Sequence, residues 1–330
     1  MALIERTNVE ALIPEDAQKE IISEVSQASA AMALMRKLPN MIRGQRRMAV
    51  LDALPYAYFV DGTPGAQTSE YSEGRKKTTN IEWKNKYIYA EEIAVILPIS
   101  ISTLEDADYD IWGEARPFIA EAFGRTFDAA VFHGTNAPAT WPNDILTGAI
   151  AAGNSLTEGD IGDLFDDIMG EDGLIALLEA DGFFPSAYVS SIPMRAKLRG
   201  LRAGTAADGV PMFRSVWDGM AQGTQYMIDG VNCTFPRNGG IDPTEVELIA
   251  GDWSKAVFSI RKDLTYKVLD QAVIQDVSTG DIVYNLAQQD MVALRVYMRL
   301  GWQVPNPVNP LEETEANRYP FSVLIPSASS

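Results

Sequence analysis

Residues 110–134 read DIWGEARPFIAEAFGRTFDAAVFHG, and their spacing predicts one long helix flanked by segments that read as sheet rather than as more helix. At 1.5 Å rise per residue it would span roughly 35 Å, longer than an ordinary core helix has to be. Its apolar residues form two adjacent stripes, Ile111, Ala115, Phe118 and Ala122 beside Ile119, Phe123, Phe127 and Ala130. That pattern predicts one wide buried face. Asp106 and Asp108 in the approach suit a helix amino end, and Gly134 suits a left-handed carboxyl-terminal stop. Pro117 removes a backbone donor and presses on the carbonyl of Gly113, so the regular helix either starts near Pro117 or kinks there. A nearly solitary spine of this kind is scaffolding.

Before the spine, residues 14–37 predict a helix that opens on Pro14 and acids and closes on bases. Its apolar set, Ile21, Ile22, Val25, Ala28, Met32 and Met35, is thin, so it leans on another surface. Residues 48–60 and 81–99 predict the two arms of a long hairpin, joined by a stretch of Gly, Thr, Ser and charge too poor in apolar residues to bury itself. A lone hairpin is marginal in water and needs a neighbouring subunit to hold it. Gly62, Gly65 and Gly74 would let its tip adjust. After the spine, residues 139–148 read as loop, and 156–181 as two helical pieces interrupted by Gly170 and Gly173. Residues 186–191 form a strand, and 192–204 a helix entered by Pro193 and closed by Gly204. Further strands are expected in 224–235, 246–260, 264–275 and 288–305.

With 330 residues, 46% of them hydrophobic, the chain can bury a large core as two domains or one elaborated domain. No run of about 18 apolar residues occurs, and the first ten residues lack the pattern of a secretion signal, so a soluble protein made in a cytoplasm is expected. The single cysteine, Cys233, excludes an internal disulfide and reads as a buried small hydrophobe. The single histidine, His133, reads as a helix-end cation or a satisfied packing residue. A net charge of −18 argues against an ordinary basic nucleic-acid reader. Yet Arg36, Lys37, Arg43, Arg46 and Arg47 are crowded together with no acid among them, and Arg75, Lys76, Lys77, Lys84 and Lys86 make a second basic region. Of these, Arg43, Arg46, Arg47, Arg75, Lys76, Lys77, Lys84 and Lys86 are the candidate inter-subunit contacts. Asp160, Asp163, Asp166 and Asp167 read as a solvated acidic face, without the ligand order of a calcium loop. Neither a G-x-S-x-G elbow, a phosphate loop nor a dinucleotide fingerprint occurs. No catalytic, cofactor or metal site is therefore expected, and the chain does not read as an enzyme.

The order of these parts resembles the major capsid protein family of tailed double-stranded DNA phages, the HK97-like fold, over nearly the whole chain. The resemblance rests on FDAAVFHGTNAP followed by WPNDILTG, then TQYMIDGVNCTF, then IAGDWSKAVFSIRKDLTYKV with its Gly-Asp-aromatic run, and VALRVYMRLGWQVPNPVNPL, where an Arg precedes a Gly and an aromatic residue. Asn143 and Asp144 stand where the family commonly has a Pro-Gly turn. The resemblance implies an α+β subunit with an N-terminal arm (1–47), an extended β-hairpin loop (48–100) and a peripheral domain with the spine helix (101–155). An axial α/β domain (156–288) and a closing strand with C-terminal tail (289–330) complete it. It further implies copies that tile an icosahedral shell in hexamers and pentamers around double-stranded DNA, bound without sequence specificity. A separate scaffolding protein, a portal and decoration proteins are the implied partners, with no membrane, no cofactor and a place in the virion. Some relatives join a loop lysine to an asparagine of another subunit. Here Lys76, Lys77, Lys84 or Lys86 would supply the amine and Asn306, Asn309 or Asn317 the amide, the ordinary alternative being solvated or ion-paired lysines. An encapsulin-type nanocompartment shares the fold and stands as the alternative, with a soluble α/β enzyme as the reading from another class.

Overall fold

The computed structural model describes residues 29–57, 78–106, 111–203, 210–211, 215–216, 225–276 and 278–327. The chain begins with helix α1 (Ala30–Leu34), strands β1 (Arg36–Lys37), β2 (Gln45–Ala53), β3 (Glu82–Tyr89) and β4 (Glu91–Ser100), and a short helix α2 (Ile101–Asp106). The spine α3 (Ile111–His133) follows, then α4 (Ile145–Ala152), β5 (Ser155–Thr157), α5 (Leu164–Met169), α6 (Leu174–Ala180), β6 (Ala187–Ser190) and α7 (Met194–Gly200). The remainder is strand: β7 (Arg202–Ala203), β8 (Val210–Pro211), β9 (Ser215–Val216), β10 (Gln225–Ile228), β11 (Val231–Thr234), β12 (Leu248–Gly251) and β13 (Val257–Leu269). It closes with β14 (Val273–Gln275), β15 (Ile282–Asn285), β16 (Met291–Gln303) and β17 (Phe321–Ile325).

Two sheets carry the body. A four-stranded sheet has the order β1-β13-β16-β4 and a seven-stranded one the order β5-β17-β12-β6-β11-β10-β9. Alternation along the strands of the larger sheet decides its layering. Val189, Ile249 and Val323 face the core that includes the spine, whereas Tyr188, Leu248 and Leu324 face a second core closed by α5, α6 and α7. Spine residues Ile119, Phe123, Phe127 and Ala130 lie in the same core as Val296, Met298, Leu300 and Trp302, which alternate into it from β16 with Leu294. The spine therefore rests on both sheets at once.

The sequence motifs acquire physical reasons here. A Cβ on Gly251 would lie 2.1 Å from Cδ1 of Phe321, so glycine there lets the ring in. Asp252 caps the 3₁₀ turn Trp253–Lys255 by accepting from the Ser254 amide (3.1 Å). Buried Trp253 donates its Nε1–H to the Ala187 carbonyl (2.9 Å) and stands edge-on to Phe132 and Phe321. Asp229 and Gly230 both take positive φ (46° and 73°), as the two-residue turn between β10 and β11 demands. Cys233 is buried, and burial pushes its thiol up to about 12.

Several expectations are corrected. The spine starts at Ile111 and not near Pro117, because Trp112 and Ala115 pack on the core and hold its first turns. Its second apolar stripe is buried, whereas in the first Ile111 and Ala115 are half-buried, Ala122 is exposed and Phe118 is 70% exposed. The arm does not stay helical to Lys37. Ser29 caps a new helix at Ala30, and Arg36 and Lys37 pair in parallel with Val257 and Phe258. The return arm of the hairpin divides at Ala90, β3 pairing with β2 and β4 pairing with β16. Residues 145–152, expected as loop in their first half, form α4, which Asp144 caps through the Thr147 amide (2.8 Å). Helix α7 stops at Gly200, not Gly204. Strand β13 leaves the expected axial span to join β16, and β17 returns from the closing span to pair with β12 in the larger sheet.

Of the acids of 160–167, Asp160, Asp163 and Asp166 are exposed as expected, but Asp163 and Asp167 also order the backbone and Asp167 is buried. Asp163 accepts from the Phe165 and Asp166 amides (2.9 and 3.1 Å), and fully buried Asp167 from those of Gly159 and Ile161 (2.6 and 3.1 Å). His133 is the packing residue, not the cation. Its Nε2 accepts the Asp242 amide (2.9 Å), which an imidazolium cannot do, and burial pushes its pKa below the usual range.

Candidate inter-subunit surface

Strands β2 and β3 form a two-stranded ribbon that shares no sheet with the body, in register from Gln45↔Tyr89 to Ala53↔Glu82. Its root crosses the face of the four-stranded sheet opposite the spine. Gly301 is where the two approach, since a Cβ there would lie 2.0 Å from the Tyr89 carbonyl oxygen. Gln303 Nε2 donates to the Tyr87 carbonyl (3.1 Å), and Trp141 Nε1 to that of Tyr89 (3.2 Å). Met41, Ile88, Ala90 and Val257 close a small apolar cluster beneath the crossing. Beyond the root the described residues leave the ribbon largely uncovered, and Trp83 is 63% exposed.

The segment after β16 braces the ribbon from the other side. Lys86 reaches Glu315 (2.7 Å), while Lys84 pairs with Asp52 (2.8 Å) and more distantly with Glu315 (3.5 Å). The Tyr56 hydroxyl donates to Glu313, and the Val308 amide to the Leu51 carbonyl (3.0 Å). This bracing segment is itself rigid. Buried Arg318 donates through Nε to Asn306 Oδ1 (3.2 Å) and through Nη2 to the Asn306 carbonyl (3.3 Å). Asn306 Nδ2 returns a bond to the Arg318 carbonyl (2.6 Å).

The Lys86 hydrogen bond, with the positive charges of Lys86 and Lys84, holds the Glu315 carboxyl below its ordinary value of 4.5. A lowered carboxylate stabilises the fold above that value, and the contribution is lost as pH falls through the shifted one. Glu315→Gln is accordingly expected to speed hydrogen exchange of the β2 and β3 amides a few-fold at neutral pH. These pairs are part-exposed and worth about 0.2–1 kcal/mol each. The difference from the unaltered chain should shrink as pH falls below 4.5 and vanish once pH lies under the lowered value; a difference that persisted through full protonation of the carboxyl would mean that charge is not what holds the brace.

The sequence candidates now divide. Arg46 is spent within the chain, donating from Nη1 to the Pro39 carbonyl (2.6 Å) and to Ser259 Oγ (3.3 Å). Lys84 and Lys86 take the ion-paired role just described, and the Asp52 contact raises the Lys84 pKa. Arg43 and Arg47 are exposed and make no side-chain ion pair or hydrogen bond among the described residues. Arg75, Lys76, Lys77, Gly62, Gly65 and Gly74 lie outside the described residues. Of the cross-link amides, Asn306 is occupied with Arg318, and Asn309 donates to the Asp181 carbonyl (2.6 Å). Sequence reasoning missed Gly301, Arg318 and Glu315; only the Arg-x-Gly run around Gly301 carried a signal. Among the described residues no group of acids, His or Cys forms a metal site, and no helix is long and apolar enough to cross a membrane.

A spine resting on two sheets, with a two-stranded ribbon outside both, is the arrangement of the HK97-like fold. The Phage capsid family matches residues 10–311, and the chain belongs to that family. The major capsid protein of Staphylococcus phage 80alpha is 27% identical over 298 residues, covering 86% of this chain and 79% of that protein. A solved chain from Microbacterium phage Oxtober96 superposes with a TM-score of 0.74 at 39% identity, covering 91% of each chain. One from Mycobacterium phage Adephagia reaches the same TM-score at 28% identity over the full length of both.

Proposed function

We infer that this chain is a major capsid protein, a structural protein and not an enzyme, that self-assembles into the icosahedral head shell of a tailed phage. The observation that carries the reading is the ribbon β2–β3, braced by Gly301 and Glu315 and leaving Trp83 63% exposed among the described residues. Many such weak contacts made at once stabilise a closed shell far beyond any one pair. Family membership favours a phage head over a protein-cargo nanocompartment. The chain divides in this reading into an arm (1–47), the hairpin loop (48–100), a peripheral domain with the spine (101–155), an axial domain (156–288) and a closing strand with tail (289–330). Strands β13 and β17 knit the last two to their neighbours. Hexamers and pentamers of the subunit enclose DNA held without sequence reading, assembled with a separate scaffolding protein and a portal, and with decoration proteins on the finished virion. A net charge of −18 suits a wall along which packaged DNA must slide.

Electron microscopy of the purified protein, alone and with its scaffold, is expected to show closed shells; small oligomers only would overturn the reading. Deleting residues 63–77 is expected to leave a folded, soluble subunit that forms no shells. Normal particles from that deletion would refute the role of the loop.

A further inference from the structure

Charge is segregated along this chain more sharply than its net value reveals. Residues 36–47 hold five cations and no acid, whereas from residue 126 to 194 there are eleven acids and not one Lys or Arg. In the fold the two stretches sit on different elements. The basic turn runs between β1, at the edge of the four-stranded sheet, and β2. Of the acids, Asp128 is buried in the spine and Asp144 caps α4, while those of 160–172 lie just before α5, on it and in the turn to α6; with α7, which carries Arg195, Lys197 and Arg199, these helices cover the outer face of the seven-stranded sheet. Arg36, Lys37, Arg43 and Arg47 are exposed, and among them Ile42 is 95% exposed. Asp160, Asp166, Glu171 and Asp172 are exposed on the other surface, with Ile161 partly bared between them. No ion pair joins the two surfaces within the chain among the described residues.

We propose that the basic turn around Ile42 and Arg43 of one copy docks on the acidic ridge of α5 and α6 of a second copy. A two-fold contact of either surface with itself would set like charges together, which costs several kcal/mol. A head-to-tail contact satisfies both surfaces at once, and such heterologous contacts generate rings when the rotation closes. Ile42 supplies the apolar knob and Ile161 its seat, while the flanking charges steer approach and fix register. The proposal rests on the shell reading above and names the contact that would close its capsomers.

Charge reversal and mutual rescue test it. R43E/R47E and E171K/D172K are each expected to lower shell yield by at least about tenfold at 0.15 M salt. The four substitutions combined in one chain are expected to restore the yield to within about threefold of the unaltered protein, by the logic of a double-mutant cycle. Circular dichroism and thermal unfolding of the unassembled subunits establish that each variant folds. Normal assembly of either pair, or a combined variant no better than the worse pair, would overturn the contact. Intact assembly with loss of DNA retention in R43E/R47E would assign the turn to nucleic acid and overturn it too. Failure of the unaltered protein to make shells would instead remove the reading on which the contact rests.

Discussion

Gly301→Ala is expected to unseat the hairpin from the body and to cost about 3 kcal/mol of unfolding free energy, the upper end for overpacking a close contact. The added Cβ would lie 2.0 Å from the Tyr89 carbonyl oxygen and 2.8 Å from Ile88 Cγ2. The oxygen is backbone, held by the Trp141 indole, and cannot rotate away as a side chain would. Relief requires β3 to lift, which breaks the Gln303 bond to Tyr87 and opens the cluster of Met41, Ile88, Ala90 and Val257. Gly301 also lies opposite Ser259 in the pairing of β16 with β13, so β16 cannot retreat without straining a thirteen-residue strand. Gly200→Ala is the control. Nothing lies within 4 Å of its Cβ position, and alanine is the better helix former by ~1 kcal/mol. Denaturant midpoints of the two variants, with hydrogen exchange of β3, measure the effect. A midpoint for Gly301→Ala equal to that of the unaltered chain would show that the crossing is looser than its geometry indicates.

What was legible in the sequence follows from what local pattern encodes. The carboxyl end of the spine was readable because Gly134 takes φ of +67°, which a glycine after a helical run advertises. The buried width was not. Apolar periodicity records that Phe118 is apolar, not whether this subunit supplies a layer to cover it. Helix α4 escaped because ILTGAIAA is apolar almost throughout and shows no helical period, and β17 because five residues are too few for a pattern. Charge counting found the basic stretches but cannot distinguish Arg46, turned inward on Pro39, from Arg43, turned out. The return arm of the hairpin alternates without interruption, so its division at Ala90 between two sheets depends on partners from residues 200 positions further on. Glycines of the motifs were visible, yet their reason, a close approach by Phe321 or by the Tyr89 carbonyl, exists only in three dimensions.

Asp128 shows the same limit and gives the second large effect. It sits in the FDAA run of the spine, fully buried, where an acid would ordinarily be costly. Four donors converge on it from two distant segments. Ser29 Oγ donates to Oδ1 (2.6 Å), the Ala30 amide to Oδ2 (2.9 Å), the Ala31 amide to Oδ1 (3.1 Å) and Asn238 Nδ2 to Oδ2 (2.6 Å). The spine thus caps α1 from outside and, through the same carboxylate, fixes the loop before β12. Burial raises its pKa against the pull of those donors. Asp128→Ala would strand buried donors from Ala30, Ala31 and Asn238 at ~1–3 kcal/mol apiece, so a loss of about 4 kcal/mol is expected, enough to threaten folding. Asp128→Asn separates charge from shape. Its amide group must face one of the same donors, so it should lose about 2 kcal/mol or more despite an almost unchanged volume. Both variants should release α1, seen as rapid proteolysis near Ser29 while the second core around Leu174 and Leu248 stays protected. Slow cleavage there in Asp128→Asn, with unaltered stability, would mean that volume rather than the four converging bonds holds the arm to the spine.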